Sequence, residues 1–171
     1  MNAPALPFPV NEKALKHMSS RWGMTAFMGY KLPLALVAGL RVESVTPSES
    51  IVSVPFGWRS QNPFRSIYFA AQAMAAEMST GLLGMLAVQS APESVAILIT
   101  GMEAKFLKKG TGRTYFHCSE GIPLFEGVAK TLLTGEGVEV PVKSIGTLQD
   151  GTLISEFSFT WSFRKRKVKT P

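Results

Sequence analysis

The sequence predicts an α+β protein in which an antiparallel sheet curls around one hydrophobic helix. The first observation is the segment 62–88, which is apolar on nearly every side and therefore suits a helix buried in a protein core. The second is a set of six strand-like segments, two before that helix and four after it. The third is the last of these strands, where apolar and polar residues alternate as in a sheet with one buried face.

Length and composition limit the classes of protein to which the chain can belong. Its 171 residues are 46% hydrophobic and 18% charged, which excludes wholesale disorder and suits one domain with a sizeable core. We therefore expect a single domain over residues 1–171, with a flexible arm at 1–10 and a basic tail at 164–171. The chain has one cysteine, Cys118, one aspartate, Asp150, and two histidines. These counts exclude an intrachain disulfide, and we expect no metal site.

The positive charge is concentrated at the C-terminus. Of the net charge of +6, five charges come from basic residues between Arg164 and Lys169, so the rest of the chain carries only +1. Because no stacking aromatics accompany the tail, we expect no nucleic-acid partner, although contact of the tail with phosphates, RNA or an anionic membrane stays open. The sequence shows no targeting signal and no apolar run of ~20 residues. We expect a cytoplasmic location and no membrane span.

The segments up to the central helix contain clear start and turn signals. Residues 11–31 predict one helix with Asn11 as its N-cap, and residues 40–58 predict a β-hairpin. The central helix is predicted to run from about 63 to 86. Asn62 and the proline after it form a typical helix start, because asparagine caps free N–H groups and proline suits the first helical position.

The second half of the chain predicts four more strands. Their ranges are 94–108, 112–119, 137–149 and 152–163. The last two form a hairpin around Asp150 and Gly151, a strong two-residue turn signal. The segment 122–134 is compatible with either a short helix or a loop.

Two polar residues of the central segment are candidates for chemistry. Glu77 is the only ionisable group in the helix, and burial of a carboxylate raises its pKa, which is typical of functional sites. The alternative is that Glu77 lies at a solvent-exposed edge of the helix or pairs with an arginine. Asn62 would place free helix N–H groups where a carbonyl oxygen can bind. Fifteen helical positions separate the two residues by roughly 22 Å, so a shared reaction would require Glu77 from a second copy in a symmetric dimer.

The layout and the segment NPFRSIYFAAQAMAAEMSTG resemble the hotdog-fold acyl-CoA thioesterase superfamily, in particular its phenylacetate-pathway branch. The closing segment EFSFTWSFRKR resembles an uncharacterised bacterial thioesterase-like subfamily. The branch carries an asparagine, a His-Gly-Gly step at the start of the central helix, and an acid on the helix. When the pattern of the branch is aligned with this chain without a gap, the asparagine falls on Asn62, the His-Gly-Gly step on Tyr68 to Ala70, and the acid on Glu77. The resemblance covers about residues 40–163 and implies a hotdog fold.

The resemblance also implies roles and partners. Asn62 would orient substrate or water, and the backbone N–H of Phe69 would polarise the thioester carbonyl. Glu77 of the other subunit would act as general base or nucleophile. The implied substrate is an acyl-CoA, the implied assembly is a homodimer or a dimer of dimers, and no cofactor is implied beyond the coenzyme A of the substrate.

Several further residues are candidates for substrate binding. Tyr68 either donates a hydrogen bond where the family has histidine or packs in the core, and we favour the core. Gln72 lies on the same helix face and either satisfies a buried hydroxyl or lines the pocket. The family often places a supporting hydroxyl on the strand after the helix, where the sequence offers Ser94 and Thr100 without fixing which. A second group, comprising Lys108, Lys109 and Arg113, flanks one turn and either meets the phosphates of coenzyme A or forms an ordinary solvated end.

The main alternative is a non-catalytic acyl or acyl-CoA binding protein on the same fold. Phe69 favours it, because a benzyl group replaces the family's glycine where the acyl carbonyl approaches. A hotdog dehydratase is less well supported, since that chemistry needs a histidine paired with an acid near the central helix.

Overall fold

The structure is a computed structural model that describes residues 5–167. In chain order the elements are α1 (Glu12–Ser19), α2 (Arg21–Lys31), α3 (Pro33–Ala38), β1 (Arg41–Val45), β2 (Ser50–Val54), α4 (Phe69–Ser90), β3 (Val95–Phe106), β4 (Thr114–Cys118), α5 (Gly121–Thr134), β5 (Val138–Thr147) and β6 (Leu153–Lys165). The strands form one antiparallel sheet in the order β1-β2-β4-β5-β6-β3. All six strands contact α4. The predicted α+β class and the hotdog fold are confirmed.

The apolar character of α4 explains why the sheet wraps around it. Side chains such as Ala75, Leu83 and Leu86 are completely buried, so the helix has no wide face for water. Its buried hydroxyl groups bind within the protein: the Ser79 Oγ lies 2.7 Å from the Oγ of Ser144 on β5. The sheet therefore supplies both the apolar contacts and the polar partners that a buried helix needs.

The last hairpin follows the predicted pattern. Phe157, Phe159, Trp161 and Phe163 on β6 are buried, while the residues between them are partly exposed. At the turn before β6, Gly151 has a φ of +84°, a conformation that favours glycine. The buried apolar face of β6 therefore packs against α4. The predicted turn at Asp150 and Gly151 is confirmed.

The predicted start of the central helix is wrong by about six residues. Helix α4 begins at Phe69, and Asn62 lies in the preceding loop instead of capping it. The Oδ1 atom of Asn62 accepts hydrogen bonds from the backbone N–H groups of Phe64 and Ser66 at 2.9 and 3.2 Å. Asparagine competes with helix formation in this way, because its side chain can close a local turn. The helix ends at Ser90, four residues later than predicted.

The N-terminal region contains three helices instead of the single one predicted over 11–31. Asn11 is the N-cap of α1, as predicted, because its side chain accepts a hydrogen bond from the N–H of Ala14. The first helix ends at Ser19, and the side chain of the next residue, Ser20, accepts a hydrogen bond from the N–H of Gly23 and caps α2. A third helix follows, with a proline at its first position.

Other boundaries differ from the predictions in smaller ways. The hairpin of β1 and β2 is confirmed, but β2 ends at Val54 and the ring of Trp58 is exposed. The segment left open between helix and loop is α5. In the predicted flexible arm, the ring of Phe8 lies 5.4 Å from that of Phe125, so this part packs against the core. Residues 1–4 and 168–171 lie outside the described residues.

The predicted basic tail begins inside the sheet. Arg164 and Lys165 belong to β6, and the Lys165 ammonium forms an ion pair with Glu93 at 2.7 Å. The pairing register of β3 and β6 extends to this end of both strands, which explains why the chain stays extended there. Among residues 5–167, no helix has the length and apolar character needed to cross a membrane.

Candidate functional site

A groove of about 560 Å³ opens at the N-terminus of α4. We call it the α4 groove. It lies between the loop at 62–68, the first residues of α4, and the end of β3 with the residues that follow. Its lining residues are Asn62, Pro63, Phe64, Ser66, Ile67, Tyr68, Phe69, Gln72, Phe106, Leu107, Lys108, Lys109 and Gly110. Six of the residues predicted as site residues therefore share one cavity.

The backbone at the start of α4 has a free hydrogen-bond donor at a residue that lines this groove. Tyr68 is the N-cap, with extended backbone angles, and its own N–H binds the carbonyl of Ser60 at 2.7 Å. Phe69 is the first helical residue, and within residues 5–167 no acceptor binds its N–H. The N-terminus of a helix carries a partial positive charge. This position can therefore stabilise negative charge that develops on a carbonyl oxygen.

The side chain of Asn62 shapes the groove from its loop. Its Oδ1 atom binds two backbone N–H groups, as described above, and its Nδ2 atom donates to the Oγ of Ser66 at 3.1 Å. Both ends of the amide are thus engaged within the loop. The structure places Asn62 at the groove with Phe69, and its role in orienting substrate remains a prediction.

Aromatic rings form the open side of the groove. The ring of Phe69 is 55% exposed and lies 4.8 Å from the ring of Tyr68 and 6.4 Å from that of Phe106. The expectation that Tyr68 packs in the core is wrong, because Tyr68 precedes the helix and is 47% exposed. The Phe69 benzyl group thus belongs to a cluster on the groove wall.

Gln72 lies deeper, one helical turn into α4. It is buried, its Nε2 donates to the carbonyl of Ile67 at 3.2 Å, and its Oε1 accepts from the hydroxyl of Ser155 at 2.8 Å. Both of the alternatives predicted for Gln72 therefore occur, since it satisfies a buried hydroxyl and also lines the groove.

Glu77 lies in the wall of a second, apolar pocket of about 230 Å³, which we call the Glu77 pocket. The other lining residues are Met24, Phe27, Leu32, Met78, Gly81, Leu82, Met85, Ile97 and Trp161. None of the ion pairs within residues 5–167 involves the Glu77 carboxylate. Partial burial among apolar groups raises the pKa of Glu77. The arginine pairing considered for this residue does not occur among the described residues.

The helix turn that carries Glu77 is held in place by its neighbours. The Thr80 hydroxyl donates to the Glu77 carbonyl at 2.9 Å and accepts from the Trp161 Nε1–H at 3.0 Å. A Cβ atom on Gly81 would lie only 3.0 Å from the Glu77 Oε1 and 3.3 Å from the Trp161 ring. Glycine at this position therefore leaves room for the carboxylate to lie against the indole.

The α4 groove and the Glu77 pocket share no lining residue within one chain. Because α4 begins at Phe69, Glu77 follows the free N–H by eight positions, which is a rise of about 12 Å. Strand β3 passes both cavities, since Phe106 lines the first and Ile97 lines the second. Of the three predicted catalytic groups, one chain thus carries Asn62 and the Phe69 N–H at one place and Glu77 at another.

The remaining predicted residues lie apart from these cavities. Ser94 is exposed just before β3, and its carbonyl accepts from the N–H of Arg166 at 2.9 Å. Thr100 is exposed at a bulge of β3, and its hydroxyl lies 3.4 Å from the carbonyl of Thr160. Arg113 lines a different groove from Lys108 and Lys109. The structure therefore brings neither candidate hydroxyl to the α4 groove.

The sequence reasoning missed some groups that the fold assembles. Met24 and Phe27 of α2 line the Glu77 pocket, and their apolar spacing on the helix was the only available signal. His117 lies 3.0 Å from the Glu49 carboxylate across paired strands. This histidine–acid pair is exposed and lines neither cavity, so it gives a dehydratase no acid–base pair there. No cluster of three metal-binding side chains occurs within residues 5–167.

Solved structures share this fold at low sequence identity. A protein of unknown function and probable thioesterase from Pseudomonas aeruginosa, PA5026, aligns with a TM-score of 0.68 at 17% identity, covering 95% of this chain and 100% of that chain. The thioesterase HI1161 from Haemophilus influenzae aligns with a TM-score of 0.60 at 8% identity, covering 89% and 95%. The E. coli PaaI protein from the phenylacetic acid degradation operon aligns with a TM-score of 0.59 at 11% identity, covering 90% and 96%.

Comparison with protein families gives one match along most of the chain. Residues 20–163 match the family described as Domain of unknown function (DUF4442). No curated protein sequence matches the chain. The matched residues include every residue that lines the α4 groove or the Glu77 pocket, so the candidate site lies within the family's own domain.

The raised pKa of Glu77 predicts a measurable effect on stability. Between the ordinary pKa of glutamate and the raised value, the folded protein binds the proton more tightly, so stability falls as the pH rises through this window. We expect Glu77→Gln to raise the melting temperature at pH 7 and to lose this advantage at pH 4. Circular dichroism melts at both pH values measure the effect.

The matched control is Glu126→Gln, the same exchange at an exposed position of α5. This substitution should change the free energy of unfolding by about 0.5 kcal/mol or less. The melting temperatures of Glu77→Gln and the unmodified chain could instead differ by the same amount at both pH values. That result would contradict the conclusion that burial raises the pKa of Glu77.

Proposed function

Because the chain belongs to the DUF4442 family and has the hotdog fold, we propose that it hydrolyses the thioester bond of an acyl-CoA. The observation that carries the proposal is Glu77, a carboxylate without an ion-pair partner among residues 5–167 in an otherwise apolar pocket. A carboxylate kept in this way binds a proton more readily than one in water, as a general base must. The free Phe69 N–H at the start of α4 supplies the second requirement of acyl transfer, a donor for the carbonyl oxygen.

The proposed reaction uses one water molecule and two groups of the protein. The Glu77 carboxylate takes a proton from water as the water oxygen attacks the thioester carbonyl carbon. The carbonyl oxygen gains negative charge and accepts a hydrogen bond from the Phe69 N–H at the positive end of α4. The C–S bond then breaks, and the proton held by Glu77 passes to the departing thiolate. The products are a carboxylic acid and coenzyme A, and no further cofactor takes part.

The two groups can act on one substrate if two copies of the chain share each site. Strand β3 is an edge strand of 12 residues, so one side of its backbone is unpaired in the sheet. On the face toward α4 it carries apolar side chains, of which Met102 is 53% and Phe106 is 49% exposed. Such a strand favours pairing with a second chain.

Antiparallel pairing of two β3 strands would place the end near Phe106 of one chain beside the end near Ile97 of the other. The first end lines the α4 groove and the second lines the Glu77 pocket. The free N–H of Phe69 would then approach the partner subunit's Glu77. A homodimer with two equivalent sites follows from this arrangement, and assembly of two such dimers into a dimer of dimers would leave both sites unaltered.

The surroundings of Glu77 support an aliphatic acyl group. Met24, Phe27 and Met85 line the Glu77 pocket and also a second groove of about 350 Å³ between α1, α2 and α4. Methionine side chains adapt to irregular apolar ligands. We therefore place the acyl chain along these residues, with the thioester next to Glu77. Lys108 and Lys109 at the α4 groove are then available to the coenzyme A portion.

One observation favours the alternative of a binding protein without turnover. The ring of Phe69 lines the α4 groove, where it packs against the ring of Tyr68. In the binding alternative, the aromatic cluster holds the acyl-CoA while water is excluded.

The free thiol of Cys118 is consistent with the reducing cytoplasm that we propose as the compartment for either activity.

Substitution of Glu77 tests the proposed chemistry. We expect Glu77→Gln to lower kcat by a factor of about 10² to 10⁴, because the amide cannot take a proton from water. In the unmodified chain, kcat should rise with pH through the raised pKa of Glu77. Thiol release from aryl and aliphatic acyl-CoAs of increasing chain length measures both effects and identifies the acyl class.

The control Glu126→Gln should retain the activity of the unmodified chain. Equal turnover by Glu77→Gln would remove Glu77 from the mechanism. Binding of acyl-CoA without turnover by the unmodified chain would instead favour the binding alternative.

Substitution on β3 tests the proposed dimer. We expect Met102→Glu to convert the dimer to monomer and to abolish activity, because a charge would be buried at the centre of the interface. The control Glu103→Lys changes charge on the opposite face of the same strand and should leave the dimer intact. Light scattering coupled to size-exclusion chromatography measures the mass. A monomeric unmodified chain with full activity would contradict the shared site.

A further inference from the structure

Four arginines from distant parts of the sequence line a third groove, which we call the arginine groove. They are Arg21, Arg41, Arg59 and Arg113. The groove has a volume of about 490 Å³ and lies between the N-terminal helices, the start of β1 and the loop after β2. It shares Met24 with the Glu77 pocket and no residue with the α4 groove.

The positive charge of this groove has little internal compensation. Glu43 is the only carboxylate in its lining, and neither ion pair within residues 5–167 includes any of the four arginines. Glu43 accepts a hydrogen bond from the Ser53 hydroxyl at 2.5 Å, and the same hydroxyl accepts from the Arg113 Nη1 at 2.9 Å. The carboxylate therefore fixes the position of Arg113 through a buried serine.

Two details of the fold concern the surroundings of Arg21 and Arg59. Arg21 is the first residue of α2, whose first turn contains no acidic residue. A cation at the positive end of a helix is unfavourable unless an anion is present. A Cβ atom on Gly39, which ends α3 with a φ of +80°, would lie 3.1 Å from the Arg59 Nη2. Glycine at this position thus leaves room for the Arg59 side chain.

Comparison with the net charge of the chain shows that positive charge is concentrated in the arginine groove. The arginine groove carries a net charge of +3, whereas all residues before Arg164 together carry only +1. The rest of the body is therefore slightly negative, and the positive potential is focused on one cleft. Apolar side chains also line this cleft, among them Met28, Leu36 and Pro55.

We propose that the arginine groove binds the phosphate groups of a nucleotide. Guanidinium groups donate pairs of hydrogen bonds that match phosphate oxygens, and four of them exceed what one phosphate needs. The apolar side chains of the lining give the base and sugar groups to pack against. The volume lies in the range of sites for small organic ligands.

Such phosphates can come from two sources. One is the nucleotide end of the acyl-CoA, and this assignment rests on the proposed function. The supporting observation is that a short connection joins the two grooves. Arg59 of the arginine groove precedes Ser60, and the Ser60 carbonyl accepts a hydrogen bond from the N–H of Tyr68, which lines the α4 groove. The other source is a free nucleotide that binds independently of the substrate.

Binding of 3′-phosphoadenosine 5′-diphosphate tests the site without reference to hydrolysis. Isothermal titration calorimetry should detect binding to the unmodified chain, and Arg41→Ala and Arg59→Ala should each weaken the affinity roughly tenfold. Both side chains are exposed, so the variants should keep the melting temperature of the unmodified chain. The control Arg164→Ala removes an exposed arginine on β6, outside the groove, and should bind normally.

Absence of binding, or equal affinity of all variants, would overturn the proposal. The source is decided by comparing KM for an acyl-CoA with KM for the matching acyl-pantetheine. If the groove holds the substrate, Arg59→Ala raises KM only for the acyl-CoA and leaves kcat unchanged. If it holds a free nucleotide, Arg59→Ala alters neither KM although nucleotide binding is weakened. A chain that hydrolyses no thioester but shows the expected calorimetry would refute the proposed function and retain the site.

Discussion

The burial of α4 is the constraint on which the rest of the structure depends. A helix that is apolar on every side must be surrounded, and the only other large element available is the sheet. The sheet therefore curls until all six strands contact the helix. It also has to satisfy the hydroxyl groups of α4, which it does through residues such as Ser144 and Trp161. The apolar pattern of the strand faces toward α4 follows from this requirement.

The same constraint determines where chemistry is possible. Once the body of α4 is enclosed, the places along it that a ligand can reach include the free N–H at its start and the edge that carries Glu77. A carboxylate at that edge is surrounded by apolar side chains and has a raised pKa. The unpaired edge of β3 runs along both places. The shared site that we propose is therefore a consequence of how the helix is covered, and the arginine groove lies outside it.

Much of this arrangement could be predicted from local sequence signals, and the failures have physical causes. The period of two in β6, the Asp150–Gly151 turn and the isolation of Glu77 are local features that the fold preserves. The predicted start of α4 is wrong because the Asn62 side chain closes a turn within its own loop. In the sequence, an asparagine that closes such a turn cannot be distinguished from one that caps a helix. The arginine groove had no sequence signal, since its four residues come from four separate elements or loops.

The most direct test of the shared site combines two inactive variants in one dimer. Phe69→Pro removes the proposed donor, and proline is tolerated at the first position of a helix. Each variant alone, Phe69→Pro or Glu77→Gln, should be inactive. When both chains are co-expressed, half of the dimers are mixed and contain one intact site, so thiol release should recover to about a quarter of the original rate. Purified mixed dimers without any activity would contradict a site built from two subunits.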